Sequence, residues 1–358
     1  MGSSKNLLFS TLLLIFSISP PNLSSAQQSG FRCRSAGATC NALIDYVSPN
    51  ATTLAAVGSL FSVTNNRSLL GANNLTLSTP PSFPVAARQT VRIPFTCVCT
   101  ANGTGVSDGG PNYTVAPGDG LYHIAAEVFA GLVVFQQIAA ANNITDVNLI
   151  EVGQSLRIPL PCSCDDVDGQ RVVHYGHVVA QASTVEGIAA QYNTTPETLL
   201  RLNNLSSSGD LMAASVLDVP LRTCSSRVSN TSWDYPLLVP NGTYIFTAND
   251  CVRCACNAAS SWMLQCEPSR VNSSCSPIRC SGAPNLSLGN STTLGCNRTT
   301  CAYAGYNGQT ILTTLAMEST CPASDNRSSG MSLRGWRWNN ELLVCIQVII
   351  IYALFPFL

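Results

Sequence analysis

Charge is scarce in this chain. Its 358 residues hold 18 Lys and Arg and 19 Asp and Glu, so charged side chains make up 10%, against roughly 25% in ordinary soluble domains. The formal net charge is −1, which gives neither nucleic acid nor an anionic membrane surface an electrostatic claim as a partner. Histidine is scarcer still, with three residues and none near a Cys-x-Cys pair. Two catalytic signatures are missing too. There is no His-Glu-x-x-His and no phosphate-binding glycine loop, so nothing points to the metalloproteases and nucleotide-binding enzymes that carry those signatures. No cofactor and no metal is expected.

With so few charges, something else must solvate the surface. Asn-x-Ser/Thr acceptor tripeptides begin at Asn50, Asn66, Asn74, Asn102, Asn112, Asn143, Asn193, Asn204, Asn230, Asn241, Asn272, Asn285, Asn290, Asn297 and Asn326. Glycans there would be bulky and solubilising. The secretory context they require is present. Lys5 precedes an apolar run from Leu7 to Ile18, and Ser24-Ser25-Ala26 offers a small-residue cleavage site. Residues 1–26 therefore read as a signal peptide, with Gln27 the first mature residue, and the run is too short to span a bilayer. At the other end, Leu342 to Leu358 is apolar apart from Gln347, after a polar spacer from Met331 to Glu341 and the small triplet Ser328-Ser329-Gly330. Small triplet, spacer and hydrophobic tail describe a GPI-anchor signal. Attachment falls at Ser328 or Ser329, with Ser328 preferred because both residues after it are small, and residues 329–358 are then a removed propeptide. A tail-anchored or single-pass helix is the alternative, but no basic residues follow the apolar run as a stop-transfer pattern requires.

Cysteine usage agrees with secretion. There are 17 cysteines, and Cys345 lies in the removable tail. The sixteen others make an even number, consistent with eight bridges in an oxidising compartment.

Between the two ends, one pattern occurs three times. Apolar residues spaced by three and seven mark one buried helix face: Leu54, Val57 and Phe61; Leu121, Ile124 and Val128; Val185, Ile188 and Tyr192. Some twenty residues later come the pairs Asn73-Asn74, Asn142-Asn143 and Asn203-Asn204, and Asn tolerates the left-handed conformation that ends helices. Each copy closes on a strand ending in Pro, at Val91–Pro94, Leu156–Pro159 and Leu217–Pro220. Thr195-Pro196 fits an N-cap followed by Pro at the first helical position. Cys97-Val98-Cys99 and Cys162-Ser163-Cys164 separate the copies, with Cys33 and Cys40 before and Cys224 after. Disulfides are favoured over a metal site by the secretory context, but spacing alone leaves all fifteen pairings of the first six cysteines open.

The second copy is the best formed. Its opening Tyr113-Thr114-Val115-Ala116-Pro117-Gly118-Asp119-Gly120-Leu121, its Ile124-Ala125 pair, its Asn142-Asn143 helix end and its Ile158-Pro159 close resemble the lysin motif (LysM), a βααβ unit. The third copy departs at its first turn, where Ala180-Gln181-Ala182-Ser183-Thr184 replaces Pro-Gly-Asp, and the first is the most diverged. Three such units separated by Cys-x-Cys pairs resemble the ectodomains of plant lysin-motif receptors. The resemblance implies the pairing Cys33–Cys99, Cys40–Cys164 and Cys97–Cys162. It also implies an α+β fold: three tandem βααβ units clamped by disulfides, in residues 27–100 (degenerate), 109–160 and 170–223. A cysteine-rich module follows over 224–327. There, Cys224, Cys251, Cys254, Cys256, Cys266, Cys275, Cys280, Cys296, Cys301 and Cys321 give ten half-cystines in a segment with little core of its own, expected to be β-rich and stapled. The run from Tyr235 to Cys256 resembles the region after the LysM units in plant GPI-anchored LysM proteins of the chitin elicitor-binding type.

In that family, saccharide lies in a shallow groove between the first strand–helix turn and the loop after the second helix. Carried onto the second unit, one wall is Pro117, Gly118, Asp119, Gly120, Leu121 and Tyr122, and the other is Ile144, Thr145, Asp146, Val147, Asn148, Leu149 and Ile150. Glycines in the first wall let backbone approach a ligand closely. Ordinary duties compete for these residues: Asp119 as a helix cap, Leu121 as a core anchor. The acceptor site at Asn143, beside the groove, weighs against it. His123, His174, His177 and the acidic linker Asp165, Asp166 and Asp168 read as packed or solvated groups, since a 45-residue βααβ unit has no cleft for two opposed carboxylates.

The expectation is a non-enzymatic, GPI-anchored receptor at the outer face of the plasma membrane. It would bind chitin oligosaccharides and engage a transmembrane LysM receptor kinase in plant immunity, with self-association on ligand. Peptidoglycan shares N-acetylglucosamine and is the alternative ligand. A wall-glycan hydrolase and a structural wall glycoprotein are the alternatives of other classes.

Overall fold

The structure is a computed structural model, and it describes residues 31–319 and Cys321. The expected signal peptide, the expected acceptor Asn326, the expected attachment residue Ser328 and the C-terminal tail lie outside the described residues. By internal contacts the chain divides into two units. One is Met1–Thr292 with Thr299–Met317, and the other is Thr293–Arg298 with Glu318–Leu358.

The larger unit contains three βααβ segments. The first runs β1 (Thr39–Val47), a short β2 (Thr52–Thr53), α1 (Leu54–Leu60), α2 (Asn66–Ala72), β3 (Pro84–Val85) and β4 (Thr90–Cys99). A connecting strand β5 (Gly105–Ser107) leads to the second: β6 (Asn112–Thr114), α3 (Leu121–His123) continuing as a π-helical turn over Ile124–Val128, α4 (Phe135–Ala141) and β7 (Ser155–Arg157). After β8 (Pro161–Cys162), the third runs β9 (Val172–Val178), α5 (Val185–Tyr192), α6 (Pro196–Leu202) and β10 (Val216–Arg222). In each, the opening and closing strands pair antiparallel.

The segments are not beads on disulfides. β1 also pairs parallel with β9, through Leu43–Tyr175 and Ile44–Gly176, so the first and third share a six-stranded sheet in the order β10-β9-β1-β4-β5-β8. The first and second share a core instead. Ile44, Tyr46, Leu54, Val57 and Phe61 pack in one cluster with Leu121, Ile124, Phe129, Leu132, Ile138 and Leu156. Edge-to-face rings run through it, Tyr46 to Phe61 at 5.0 Å, Phe61 to Phe129 at 5.6 Å and Tyr113 to Phe129 at 5.8 Å.

Helix boundaries follow local chemistry. Thr53 Oγ1 accepts from Ala56 N, Thr184 Oγ1 from Gly187 N and Thr195 Oγ1 from Thr198 N, with Pro196 in the first turn of α6. At the other ends the Asn pairs divide the labour. The second member, Asn74, Asn143 or Asn204, takes the left-handed conformation, with φ of 52°, 55° and 51°. The first member staples helix to closing strand. Asn142 Nδ2 donates to Ile138 O and Arg157 O, while its Oδ1 accepts from Arg157 N, each at 2.8 Å. Asn73 does the same with Leu69 and Arg92, and Asn203 with Leu199 and Asp218.

The bridges Cys33–Cys99, Cys40–Cys164 and Cys97–Cys162 gather at one end of the large sheet. Sulfurs of Cys40, Cys97 and Cys164 come within 4.8 Å of one another, but all three are disulfide-bonded and cannot act as thiolate ligands. Beyond Arg222 the chain is β-rich: β11 (Thr243–Thr247), β12 (Val252–Cys256), β13 (Gln265–Pro268), β14 (Arg279–Cys280), β15 (Ala283–Ser287), β16 (Ser291–Leu294), β17 (Asn297–Tyr306) and β18 (Ile311–Ser319). Cys224–Cys256, Cys251–Cys275, Cys254–Cys266 and Cys280–Cys301 staple it, and several of these cysteines are themselves its core, with Val239, Val252 and Tyr303. The described part of the smaller unit is closed by Cys296–Cys321.

Candidate functional site

The two expected walls spring from one ladder. Beyond β6·β7, Val115 N donates to Gln154 O and Gly153 N donates to Val115 O, both at 2.9 Å. The turn 117–122 leaves just after Val115, and the loop 144–150 arrives just before Gly153, so both begin at the same end of the hairpin.

Asp119 shapes the turn. Its carboxylate accepts from Ala116 N at 2.7 Å and from the Tyr113 hydroxyl at 2.7 Å, and it meets His123 Nδ1 at 2.8 Å. Burial opposes its charge, but these three donors outweigh burial and hold the carboxyl below its ordinary range. Burial, then the Asp119 carboxylate, push the Tyr113 phenol up to about 12. Asp119 is thus not the helix cap that the sequence allows. The N-cap is Gly120, with no side-chain bond, and Asp119 is the knot of the turn. Of the two turn glycines only Gly118 needs its freedom, at φ +89°. A Cβ at either Gly118 or Gly120 would meet nothing within 4 Å, so this backbone is bare and open.

The walls expose apolar surface. Tyr122 is 69% exposed, Leu149 73% and Val147 37%, while Thr145, Asp146 and Asn148 are exposed polar neighbours. Asp146 Oδ1 accepts from Asn148 N and stiffens the loop. Val152, 64% exposed, extends the same apolar rim. Only its place two residues beyond Ile150 could have marked it in the sequence. Three positions serve differently than a wall would require. Leu121 is fully buried and belongs to the shared core, because the helix turns its side chain inward. Ile144 and Ile150 are partly buried against that core.

The other two segments lack this combination. In the third, Met212 is the exposed large apolar residue of the corresponding loop. In the first, the corresponding loop is engaged: the Tyr244 hydroxyl of β11 donates to Leu75 O at 2.6 Å. Asn143 itself is exposed, and the stapling Asn142 is not an acceptor residue, so a glycan on Asn143 leaves the staple intact.

The histidines of the third segment are structural. His174 is buried, with Nδ1 2.8 Å from Asp218 Oδ1 and Nε2 donating to Asp165 O at 2.8 Å. His177 Nδ1 meets buried Asp45 Oδ2 at 2.8 Å. The acidic linker is likewise tied down. Asp165 accepts from Arg34 N, and Asp168 from the Thr198 hydroxyl and Arg201.

A strand, an Asp-knotted turn, two short helices and an Asn-stapled closing strand define a lysin-motif protein. A family model for the LysM domain matches residues 113–159 and 177–220. The chain is 44% identical over 331 residues to LysM domain-containing GPI-anchored protein 2 of Arabidopsis thaliana, covering 90% of this chain and 93% of that protein. It is 42% identical over 331 residues to the chitin elicitor-binding protein of Oryza sativa subsp. japonica, covering 91% and 92%. LysM domain-containing GPI-anchored protein 1 of Arabidopsis thaliana is 36% identical, covering 88% and 76%. The chain belongs to the family of LysM domain-containing GPI-anchored proteins.

Proposed function

We propose that this chain is a non-enzymatic cell-surface receptor for chitin oligosaccharides, built of three tandem LysM units and a cysteine-rich module, with the second unit as its binding site. One observation carries the reading: the second segment alone joins a bare, open turn to a rim of exposed apolar side chains, Tyr122, Val147, Leu149 and Val152. N-acetylglucosamine offers apolar ring faces, methyls and amides that both donate and accept, which such a surface complements. The name of the rice relative, a chitin elicitor-binding protein, supports the choice of ligand. Peptidoglycan offers the same sugar, and competition between the two glycans separates them.

A GPI anchor reaches only the outer leaflet, so a receptor held this way needs a transmembrane partner to carry its signal. A LysM receptor kinase fits that role in plant immunity, and a long oligosaccharide bridging two receptors raises avidity without new contacts.

Calorimetry of the full chain against chitin oligomers of increasing length tests the site. Leu149→Asp and Tyr122→Ala are expected to weaken binding at least about tenfold, or 1.4 kcal/mol, with little change in melting temperature because both side chains are exposed. No heat at millimolar ligand, leaving less than about 4 kcal/mol of binding free energy, would sink the proposal. Shortened oligomers after long incubation would point to the hydrolase instead.

A further inference from the structure

The cysteine-rich module carries an aromatic platform that the receptor reading does not use. Trp233 is 74% exposed on a backbone that is tied down. Its N donates to Tyr306 O at 2.9 Å, and the preceding Ser232 hydroxyl accepts from Tyr306 N at 2.6 Å. The six-membered ring of the indole lies against Gly308, where an added Cβ would fall 2.2 Å from it. Gly308 sits at φ +90°, a backbone conformation that favours glycine, and the missing Cβ leaves room for the ring. Tyr306 stands edge-on to the indole at 5.9 Å.

Gly308 and Tyr306 also wall a cleft of about 420 Å³. The remaining polar lining is neutral amide and hydroxyl, from Asn249, Asn272, Ser274, Ser276, Gln309 and Thr310, with Arg279 the one charged side chain. Asn249 Nδ2 donates to the Tyr306 hydroxyl and Asn272 Nδ2 to Asn249 O, so these amides are fixed in place. An exposed aromatic face beside a cleft of oriented amides and of hydroxyls complements a pyranose ring. The ring's axial C–H face is apolar and its hydroxyls both donate and accept. A phosphorylated or strongly anionic ligand would ask for more than one cation, and a protein partner for a wider apolar patch.

From this geometry we infer that the module holds a second saccharide site, in which a neutral sugar ring stacks on Trp233 and its substituents reach into the Tyr306–Asn272 cleft. The sugar has two sources: a free oligosaccharide, or the chain's own N-glycan, since Asn272 begins an acceptor tripeptide.

The test uses the full glycosylated chain carrying Tyr122→Ala and Leu149→Asp, so that the second segment is silent. Chitohexaose and cellohexaose at millimolar concentration are the probes, read by saturation-transfer NMR on the sugar protons. At least one is expected to bind, Trp233→Ala to weaken it at least about tenfold, and Trp233→Tyr to restore part of the loss. A parallel arm with Asn272→Gln distinguishes the sources, because binding seen only there means that the chain's own glycan fills the cleft. No binding in either arm, or binding indifferent to Trp233→Ala, overturns the inference. The single variant Trp233→Ala with the second segment intact reports the other site alone, so either reading can fail without the other.

Discussion

At the scale of the residue, His174 shows what the buried polar groups do. A carbonyl can only accept, so Nε2 carries a proton toward Asp165 O, and Nδ1 faces the Asp218 carboxylate. Burial opposes the imidazolium, but Asp218 and then Asp165 prevail, and the folded pKa lies above the unfolded 6.5. The contribution to stability is therefore fully present below about pH 6.5 and lost as pH rises through the folded value. Thermal melts of the wild type are expected to fall as pH rises above about 6.5, and His174→Gln should flatten that limb. The variant should also lose about 3–5 kcal/mol at acid pH, because Asp218 is left buried without its partner. A melting profile with the same alkaline slope in wild type and variant would refute the assignment. The sequence marked His174 and His177 as packed or solvated groups, with no sign that Asp218 and Asp45 await them. Asp218 lies 44 residues away and Asp45 lies 132, and such pairing leaves no local pattern.

At the scale of the element, local rules were legible and contacts between elements were not. Apolar spacing found the helices, and Thr195-Pro196 marked the start of α6, because caps and faces are written in adjacent residues. The Asn pairs were legible as helix ends, but their division into staple and left-handed residue needed the closing strand in view. The π turn at Ile124–Val128 escaped, since its spacing of apolar residues also fits an α-helix. The docking of α2 on β11 escaped for the same reason as the buried pairs. It rests on Gly71, where a Cβ would fall 2.1 Å from the Tyr244 carbonyl oxygen. Gly71 sits in a helix, where alanine is ordinarily favoured by up to about 1 kcal/mol. Here Gly71→Ala is expected to destabilise by about 1–3 kcal/mol, since backbone must move to admit the methyl. That corresponds to a melting temperature lower by several degrees, roughly 2–4 °C per kcal/mol in a domain of this size. A variant as stable as the wild type would mean that α2 and β11 do not pack so closely.

At the scale of the whole molecule, the three segments behave as one body for reasons that lie outside the disulfides. A 45-residue βααβ unit has too little core to stand alone. The second solves this by sharing its core with the first, and the third by joining the first's sheet through β1·β9. The secretory context pointed to disulfides and the LysM resemblance implied their pairing, but the shared sheet was invisible because parallel pairing between distant strands has no sequence signature. The two kinds of link can be separated. Replacing Cys97 and Cys162 together by alanine removes a bridge between β4 and β8 and is expected to cost about 2–5 kcal/mol. If shared core and sheet couple the segments, the calorimetric transition of the region should move down in temperature yet remain single, with calorimetric and van't Hoff enthalpies in the same ratio as in the wild type. Splitting into separate transitions on loss of this bridge would show that the disulfides, not the shared core and sheet, unite the three segments. The open turn at Gly118–Gly120 would then rest on a support held by covalent bonds alone.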